Sequence, residues 1–290
     1  MSPLIAVAEH IAQARQMDDG SSALAWSSFA DFFKSRIYDR RLLDRPFLIY
    51  YDDDRQLHCT YSYAEFGAVV QRAATFLHDQ VGIRRGDRLA TMLFNHDVTV
   101  VLYFAAWISG ITVVPINVEE PADKKRFILE HSEASAVCCW HSYVEEVNGL
   151  QRDLPALRHV IALNDDSFME DKSQGARGET THRPLVPGHA SHAGLLEDEA
   201  LIVYTSGTTG PPKGVVLTVE NLLTDADAIA DWHHFGVNDR LMCVLPIHHV
   251  NGIVVTLLTP FYCKGSLVLN RKFKSATFWR RLHEEHVTCV

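Results

Sequence analysis

The stretch of sequence that says most about the fold runs from Tyr204 to Gly214 and reads YTSGTTGPPKG. It holds three glycines, four serine or threonine hydroxyls and one lysine, between two β-branched runs. Glycines allow positive φ angles, so successive backbone N–H groups can face one side of a loop and bind an anion. The hydroxyls add donors and neutral oxygen ligands for Mg²⁺, and Lys213 adds a positive charge. The segment predicts a phosphate-loop hairpin over 201–217 that binds a triphosphate.

Two other phosphate-binding patterns are excluded by spacing. The Walker pattern G-x-x-x-x-G-K-[ST] requires a glycine before the lysine and a hydroxyl after it, whereas Pro212 and Gly214 flank Lys213. The dinucleotide pattern G-x-G-x-x-G occurs nowhere in the chain. A hydroxyl-rich hairpin loop without a ligand is the alternative, and the flanking strands together with Lys213 argue against it.

Outside this segment, apolar runs alternate between the spacing of strands and that of helices. Strands are expected over 47–51, 57–61, 89–94, 112–116, 134–140, 201–204 and 241–245, and helices over 63–80, 98–109, 124–131 and 275–285. Such alternation is typical of a layered α/β fold with parallel crossovers. We predict a peripheral helical segment over 1–45 and one domain over 46–290, interrupted by a polar loop or insertion at 164–199.

Composition narrows the possible partners and compartments. The 290 residues carry 27 basic and 36 acidic side chains, a net charge of −9, and 47% are hydrophobic. This acidic globular chain is a poor match for nucleic acid or an anionic membrane. Six cysteines without C-x-x-C spacing, and no secretory leader, favour the cytoplasm. Residues 98–118 lack acidic and basic side chains and could form a membrane span, but Gly110 and Pro115 favour a buried helix, a turn and a strand.

Three polar clusters could suggest a metal, and each has a simpler interpretation. The triplet Asp52-Asp53-Asp54 is typical of a solvated hairpin turn. The pairs His233-His234 and His189-x-x-His192 lack a nearby carboxylate or cysteine set, which favours solvated side chains. No metal other than Mg²⁺ is expected.

The chain resembles the adenylate-forming enzymes, which include acyl-CoA synthetases, luciferases and peptide-synthetase adenylation domains. Segment 204–214 matches their phosphate-loop motif Y-T-S-G-[ST]-T-G-x-P-K-G at every position. Weaker agreements follow in the family's order: TYSYAEF at 60–66, WISGITVVPIN at 107–117 and LPIHHVNG at 245–252. The resemblance implies the layered α/β sheets of the family's large N-terminal domain, here incomplete and without the C-terminal domain.

The resemblance also implies a reaction and roles for particular residues. A carboxylic acid, fatty or of another organic class, attacks ATP to give acyl-AMP, and coenzyme A then takes the acyl group. The residues implied to hold the phosphates are Thr205, Ser206, Gly207, Thr208, Thr209, Gly210, Lys213 and Gly214. Thr208 matches the hydroxyl that assists Mg²⁺, and Lys213, His249 and Thr208 are the implied catalytic set. His249 faces the acyl carboxylate, and Val250, Asn251 and Gly252 line the acyl site.

Several features that the family has are missing from this chain, which keeps other functions open. The adenine-pocket motif Y-G-x-T-E, the ribose-binding aspartate and the C-terminal lysine do not occur, and the expected strand at 287–290 has no polar tail. We therefore expect an N-terminal portion that is inactive alone, or a non-catalytic fragment that binds nucleotide or a partner. Transfer to a carrier-protein thiol is a further alternative, although such relatives usually have F-D-x-S where residues 246–249 stand.

Overall fold

The computed structural model describes residues 24–163, 195–205 and 212–290. Its strands are β1 (Pro46–Asp52), β2 (Leu57–Ser62), β3 (Arg88–Met92), β4 (Thr112–Pro115), β5 (Ala136–Trp140), β6 (His159–Leu163), β7 (Glu199–Thr205), β8 (Lys213–Thr218), β9 (Arg240–Cys243) and β10 (Ser266–Asn270). Its α-helices are α1 (Phe29–Ile37), α2 (Tyr63–Phe76), α3 (Asp97–Ile108), α4 (Ala122–His131), α5 (Val144–Gln151), α6 (Val219–His233), α7 (Thr259–Tyr262) and α8 (Ser275–Glu284). A 3₁₀ turn, His141–Tyr143, and two π-helical stretches, Leu77–Val81 and Asn251–Leu258, complete the elements.

Within the described ranges, the named strands form two sheets. The first has the order β2-β1-β10-β9, with β1 parallel to β10 and β10 parallel to β9. The second has the order β6-β5-β3-β4-β7-β8 and is parallel except for the final β7–β8 pair. Parallel strands buried on both faces read as near-continuous apolar runs, as β4 and β5 do. The predicted layered α/β fold is confirmed.

Helices separate and cover the two sheets. Between the sheets, helices α1, α2, α3 and α6 pack against inward-facing residues of both, forming the largest core. Helices α4 and α5 cover the other face of the second sheet, while Phe278 and Leu282 of α8 cover the first. Every residue of α3 is buried, because this helix lies between the sheets.

The apolar stretch 98–118 folds as predicted into a buried helix, a turn and a buried strand. Helix α3 ends before Gly110, whose φ of 69° suits glycine, and β4 follows. In the part of the chain that the structure describes, no helix has the length and hydropathy needed to cross a membrane.

The position of helix α1 differs from what we expected from the sequence. We expected residues 1–45 to be helical and peripheral, but Phe29, Phe32 and Phe33 are at most 1% exposed. Aromatic side chains recur on one face of α1 and pack into the core between the sheets. The described helix in this segment is therefore part of the core, while the boundary near residue 45 stays a prediction.

Two helix starts are determined by local side chains. Ser62 Oγ accepts a hydrogen bond from Glu65 N–H, and Glu65 accepts one from Ser62 N–H at 2.8 Å, so the TYSYAEF segment begins α2. Thr218 and Asn221 make the corresponding pair at the start of α6, so Thr218 is the N-cap of that helix.

Candidate active site

The base of the predicted phosphate loop is an antiparallel strand pair. Strands β7 and β8 pair so that Thr205 lies opposite Lys213 and Tyr204 lies opposite Gly214. Thr205 Oγ1 donates to the Lys213 carbonyl at 3.5 Å, and both side chains are exposed. The loop residues Ser206, Gly207, Thr208, Thr209 and Gly210 lie outside the described residues. The two described ends of the loop therefore place Thr205 and Lys213 directly opposite each other.

A side chain at Gly214 would crowd the ring of Tyr204. A Cβ atom on Gly214 would lie 3.1 Å from the Tyr204 ring and 3.1 Å from Ile202 Cγ2, closer than ordinary contact. Tyr204 Oη in turn makes a 2.8 Å hydrogen bond with Nδ1 of His131 at the end of α4. The close contact and the hydrogen bond hold the strand ends that lead into the loop.

The second predicted element, residues 245–252, follows the end of β9. His249 lies in a turn where its N–H donates to the Pro246 carbonyl at 3.2 Å, and its own carbonyl accepts from Ile253 N–H at 3.0 Å. The side chain of His249 is exposed. The turn therefore presents the imidazole at the carboxyl end of a parallel strand, a frequent position for site residues in α/β sheets.

Gly252 allows this turn to close. A Cβ atom there would lie 2.5 Å from the Pro246 carbonyl oxygen, a distance that real Cβ atoms essentially never show, and a tight 3.0 Å from Ile247 Cα. Gly252 is buried, Val250 is half-buried and Asn251 is exposed. The described contacts give Gly252 a backbone-packing role, and the acyl-site role of the three residues stays a prediction.

Asn95 connects this turn to both sheets, and sequence reasoning missed it. Its Nδ2 donates to the carbonyls of Leu245, at 2.8 Å, and Asn270, at 3.2 Å. Its Oδ1 accepts from Ile247 N–H at 2.9 Å. Tyr103 of α3 donates to the Ile247 carbonyl at 3.0 Å. An asparagine directly after a buried strand was the available signal.

The two predicted elements lie at the same edge of the molecule. Asn95 follows β3, and β3, β4 and β7 are parallel, so the carboxyl end of β7 at Thr205 lies on the edge where Asn95 lies. Asn95 also holds the turn after β9. The edge therefore carries Thr205, Lys213 and His249 on two different sheets.

Comparison with known proteins agrees with this geometry. Residues 36–290 match the family described as AMP-binding enzyme. The chain belongs to the AMP-binding enzyme family. It is 30% identical over 243 residues to the sulfoacetate–CoA ligase of Cupriavidus necator, covering 82% of this chain and 44% of that protein. It is 30% identical over 202 residues to the mitochondrial malonate–CoA ligase of Homo sapiens, covering 69% and 33%.

A solved structure shares the fold of this AMP-binding chain. ATP-bound MatB from Rhodopseudomonas palustris aligns with a TM-score of 0.68 and 25% identity, over 88% of this chain and 48% of that one. The fold is that of the N-terminal domain of adenylate-forming enzymes, as the sequence resemblance implied. The chain spans less than half the length of the two relatives described above.

The turn after β9 contains a second histidine, His248, whose positive charge is suppressed. Burial, together with the neighbouring His249, lowers the pKa of His248 to about 4, while Glu120 acts in the opposite direction. The two imidazole centroids are 4.3 Å apart. Because desolvation and a like charge both disfavour the protonated form, His248 is neutral at pH 7.

Proposed function

We propose that the whole protein activates a carboxylic acid with ATP, forming acyl-AMP and pyrophosphate, and then transfers the acyl group to coenzyme A. The observation that carries this proposal is the shared edge where Thr205 and Lys213 face outward and Asn95 holds the His249 turn. Membership of the AMP-binding enzyme family and the names of the two CoA-ligase relatives support it.

The first step joins two anions, so the protein must lower their repulsion and align them. Lys213 would place its ammonium charge beside the leaving phosphates, with the Thr205 hydroxyl opposite. His249 would donate a hydrogen bond near the acid carboxylate and the α-phosphate, and the turn that Asn95 holds would keep it aligned. Thr208 would hold Mg²⁺, which supplies further charge neutralisation when bound.

The acid is best sought first among short organic acids. The two relatives are named for malonate and sulfoacetate, which are both short and both carry a second anionic group. Fatty acids are the second class to test. Measuring the reaction with acids of both classes would show which class this protein uses.

The decisive experiment is pyrophosphate exchange into ATP, measured in the complete gene product because the 290 residues span less than half of the relatives. We expect exchange that requires both an acid and ATP. Replacing Lys213 by alanine should lower the rate by about 100-fold or more, since one preorganised charge contact in a transition state contributes that much. The matched control is Lys272→Ala, an exposed lysine away from the hairpin.

Two outcomes would contradict the proposal. No exchange across a broad acid panel would exclude acyl-adenylate formation. Equal rates for Lys213→Ala and Lys272→Ala would remove the hairpin from the mechanism. If exchange occurs but coenzyme A does not accept the acyl group, a phosphopantetheinyl carrier protein is the acceptor to test.

We place the enzyme in the cytoplasm. The six cysteines are all free, and the adjacent Cys138 and Cys139 are buried without forming a disulfide. Free thiols are typical of a reducing compartment. Imaging of a tagged protein, with a mitochondrial marker as the comparison, would test this placement.

A further inference from the structure

Four buried polar atoms in one region have no hydrogen-bond partner among the residues that the structure describes. They are Tyr50 Oη, His96 Nε2, Trp140 Nε1 and Arg271 Nη1. Tyr50, His96 and Trp140 are respectively 0%, 4% and 5% exposed. Buried polar groups in folded proteins are nearly always paired, because leaving one without a hydrogen bond is unfavourable. These four atoms are therefore available to a partner outside the described residues.

The four side chains lie in a row, each beside the next. The rings of Tyr50 and His96 are 4.7 Å apart, and those of His96 and Trp140 are 5.0 Å apart. The Arg271 guanidinium lies 5.7 Å from the Trp140 ring and 4.1 Å above the ring of Phe94. Burial raises the pKa of Tyr50 and the Arg271 charge opposes this rise, which agrees with a guanidinium facing the phenol.

The cluster carries a positive charge that no described acidic side chain neutralises. In the ranges that the structure describes, no carboxylate oxygen lies within 4.0 Å of the Arg271 guanidinium. Asp97, the acid beside the cluster, is already engaged. Its Oδ1 lies 2.5 Å from His96 Nδ1, and its Oδ2 accepts from Tyr61 Oη at 2.6 Å. Although burial opposes ionisation, these hydrogen bonds hold the pKa of Asp97 below its usual value.

We propose that Tyr50, His96, Trp140 and Arg271 form a binding site for one small oxyanion group, a carboxylate, sulfonate or phosphate. The Tyr50 hydroxyl, the Trp140 N–H and the Arg271 N–H groups are donors, and Arg271 adds a positive charge. An oxyanion offers about four acceptor positions and a negative charge, whereas a water molecule offers two acceptor positions and no charge. The positive charge also disfavours a metal cation.

The oxyanion site adjoins the candidate active site. Arg271 directly follows Asn270, whose carbonyl accepts from Asn95, and Phe94 directly precedes Asn95. The same Asn95 side chain holds Ile247 in the His249 turn. Two sources of the anion fit this position: a second anionic group on the substrate acid, which rests on the proposed function, or a free inorganic anion, which does not.

Direct binding to the 290-residue chain tests the site independently of catalysis. In calorimetric titration with sulfate against chloride at equal ionic strength, we expect sulfate binding that weakens at least about 10-fold in Arg271→Gln. Tyr50→Phe removes one hydroxyl from the core and should weaken binding several-fold. Lys272→Gln, which removes the same charge at the next, exposed position, should bind as the wild type does.

Crystals of the chain soaked in selenate give the position of the anion. We expect anomalous selenium density in contact with Tyr50, Trp140 and Arg271. Sulfate binding that survives both Arg271→Gln and Tyr50→Phe would overturn the site, as would a refined water in place of selenate. Tyr50→Phe keeps the test valid if Arg271→Gln does not fold.

Kinetics in the complete gene product distinguish the two sources. If the anion is part of the substrate, Arg271→Gln should raise the KM for malonate or sulfoacetate at least about 10-fold and leave that for acetate unchanged. Equal effects on all acids, together with sulfate binding, would assign the site to a free anion. Absence of exchange with every acid would contradict the proposed function while the sulfate and selenate results stood.

Discussion

Gly252 shows how a single residue type can determine a functional turn. The position it occupies is a close backbone approach, with the Pro246 carbonyl 2.5 Å from where a Cβ atom would lie. Its neighbour in the turn, His249, depends on the same carbonyl for its N–H partner. Any side chain at residue 252 must therefore move the turn that carries the imidazole.

We predict that Gly252→Ala lowers the free energy of unfolding by about 1–3 kcal/mol, the usual cost of overpacking. Urea denaturation of the 290-residue chain measures it. Gly149→Ala is the control, because nothing lies within 4 Å of a Cβ there and alanine in helix α5 should stabilise by about 0.5–1 kcal/mol. Equal effects of the two substitutions would contradict the packing role of Gly252.

The lowered pKa of His248 predicts how the free energy of unfolding depends on pH. Its pKa of about 4 in the folded chain lies below the ordinary 6.5, so the unfolded chain binds a proton that the folded chain rejects. The free energy of unfolding should therefore fall as the pH is lowered from 6.5 towards 4. His248→Gln should flatten this dependence, whereas His141→Gln, an exposed histidine, should not. Urea denaturation across this pH range is the measurement; an unchanged slope in His248→Gln would refute the prediction.

At the scale of elements, non-local hydrogen bonds align the strands that carry the site. Trp107 of α3 donates to the Ala200 carbonyl of β7 at 2.9 Å, and Thr112 of β4 donates to the Glu199 carbonyl at 2.9 Å. Both residues come from the WISGITVVPIN segment. The described contacts give that segment the role of holding the strand that leads into the predicted phosphate loop.

At the scale of elements, we predict the effect of replacing Asn95. Asn95→Ala removes three hydrogen bonds and leaves the buried Ile247 N–H unpaired, which should destabilise the chain by about 2–3 kcal/mol. Hydrogen exchange at the Ile247 amide should also become faster. The acceleration should exceed that in another variant with the same loss of global stability, because Asn95→Ala removes the partner of this amide. Asn148→Ala, on the exposed face of α5, is the control. Unchanged protection of the Ile247 amide from hydrogen exchange in Asn95→Ala would contradict the role of Asn95 in holding the His249 turn.

At the scale of the whole molecule, one aromatic side chain joins most of the central layer. Phe261 of α7 is 0% exposed. Its ring lies 5.6 Å from Phe33 of α1, 4.9 Å from Phe47 of β1 and 4.9 Å from Phe104 of α3. These contacts join helices α1 and α3 and strand β1, which are distant from α7 in the sequence, around a single side chain.

We predict that Phe261→Ala costs about 3–5 kcal/mol of unfolding free energy, because it leaves a cavity where several elements meet. Phe273→Ala removes the same ring from a position that is 56% exposed and should cost less than about 1 kcal/mol. Guanidinium denaturation followed by two probes, tryptophan fluorescence and circular dichroism, measures both. Comparable losses would contradict a central role for Phe261.

Local patterns were sufficient for many elements but not for their exact ends or positions. Strand β9 ends at Cys243 rather than at the expected residue 245, because the Leu245 carbonyl bonds to Asn95 instead of continuing the strand. Strands β6 and β10 and helix α5 were not predicted. The acidic triplet at residues 52–54 lies at a hairpin turn as expected, but it is not the solvated turn we predicted. Asp52 is 3% exposed, and Asp53 pairs with Arg281 of α8.

The sequence by itself determined the family, the alternation of strands and helices, and the hairpin that presents Lys213, because these depend on residues close together along the chain. Only the tertiary structure decided that α1 is buried, that Asn95 clamps the His249 turn, and that Tyr50, His96, Trp140 and Arg271 share one region. These features join segments up to hundreds of residues apart, and no local periodicity or motif spacing records which side chains meet when two sheets pack around common helices.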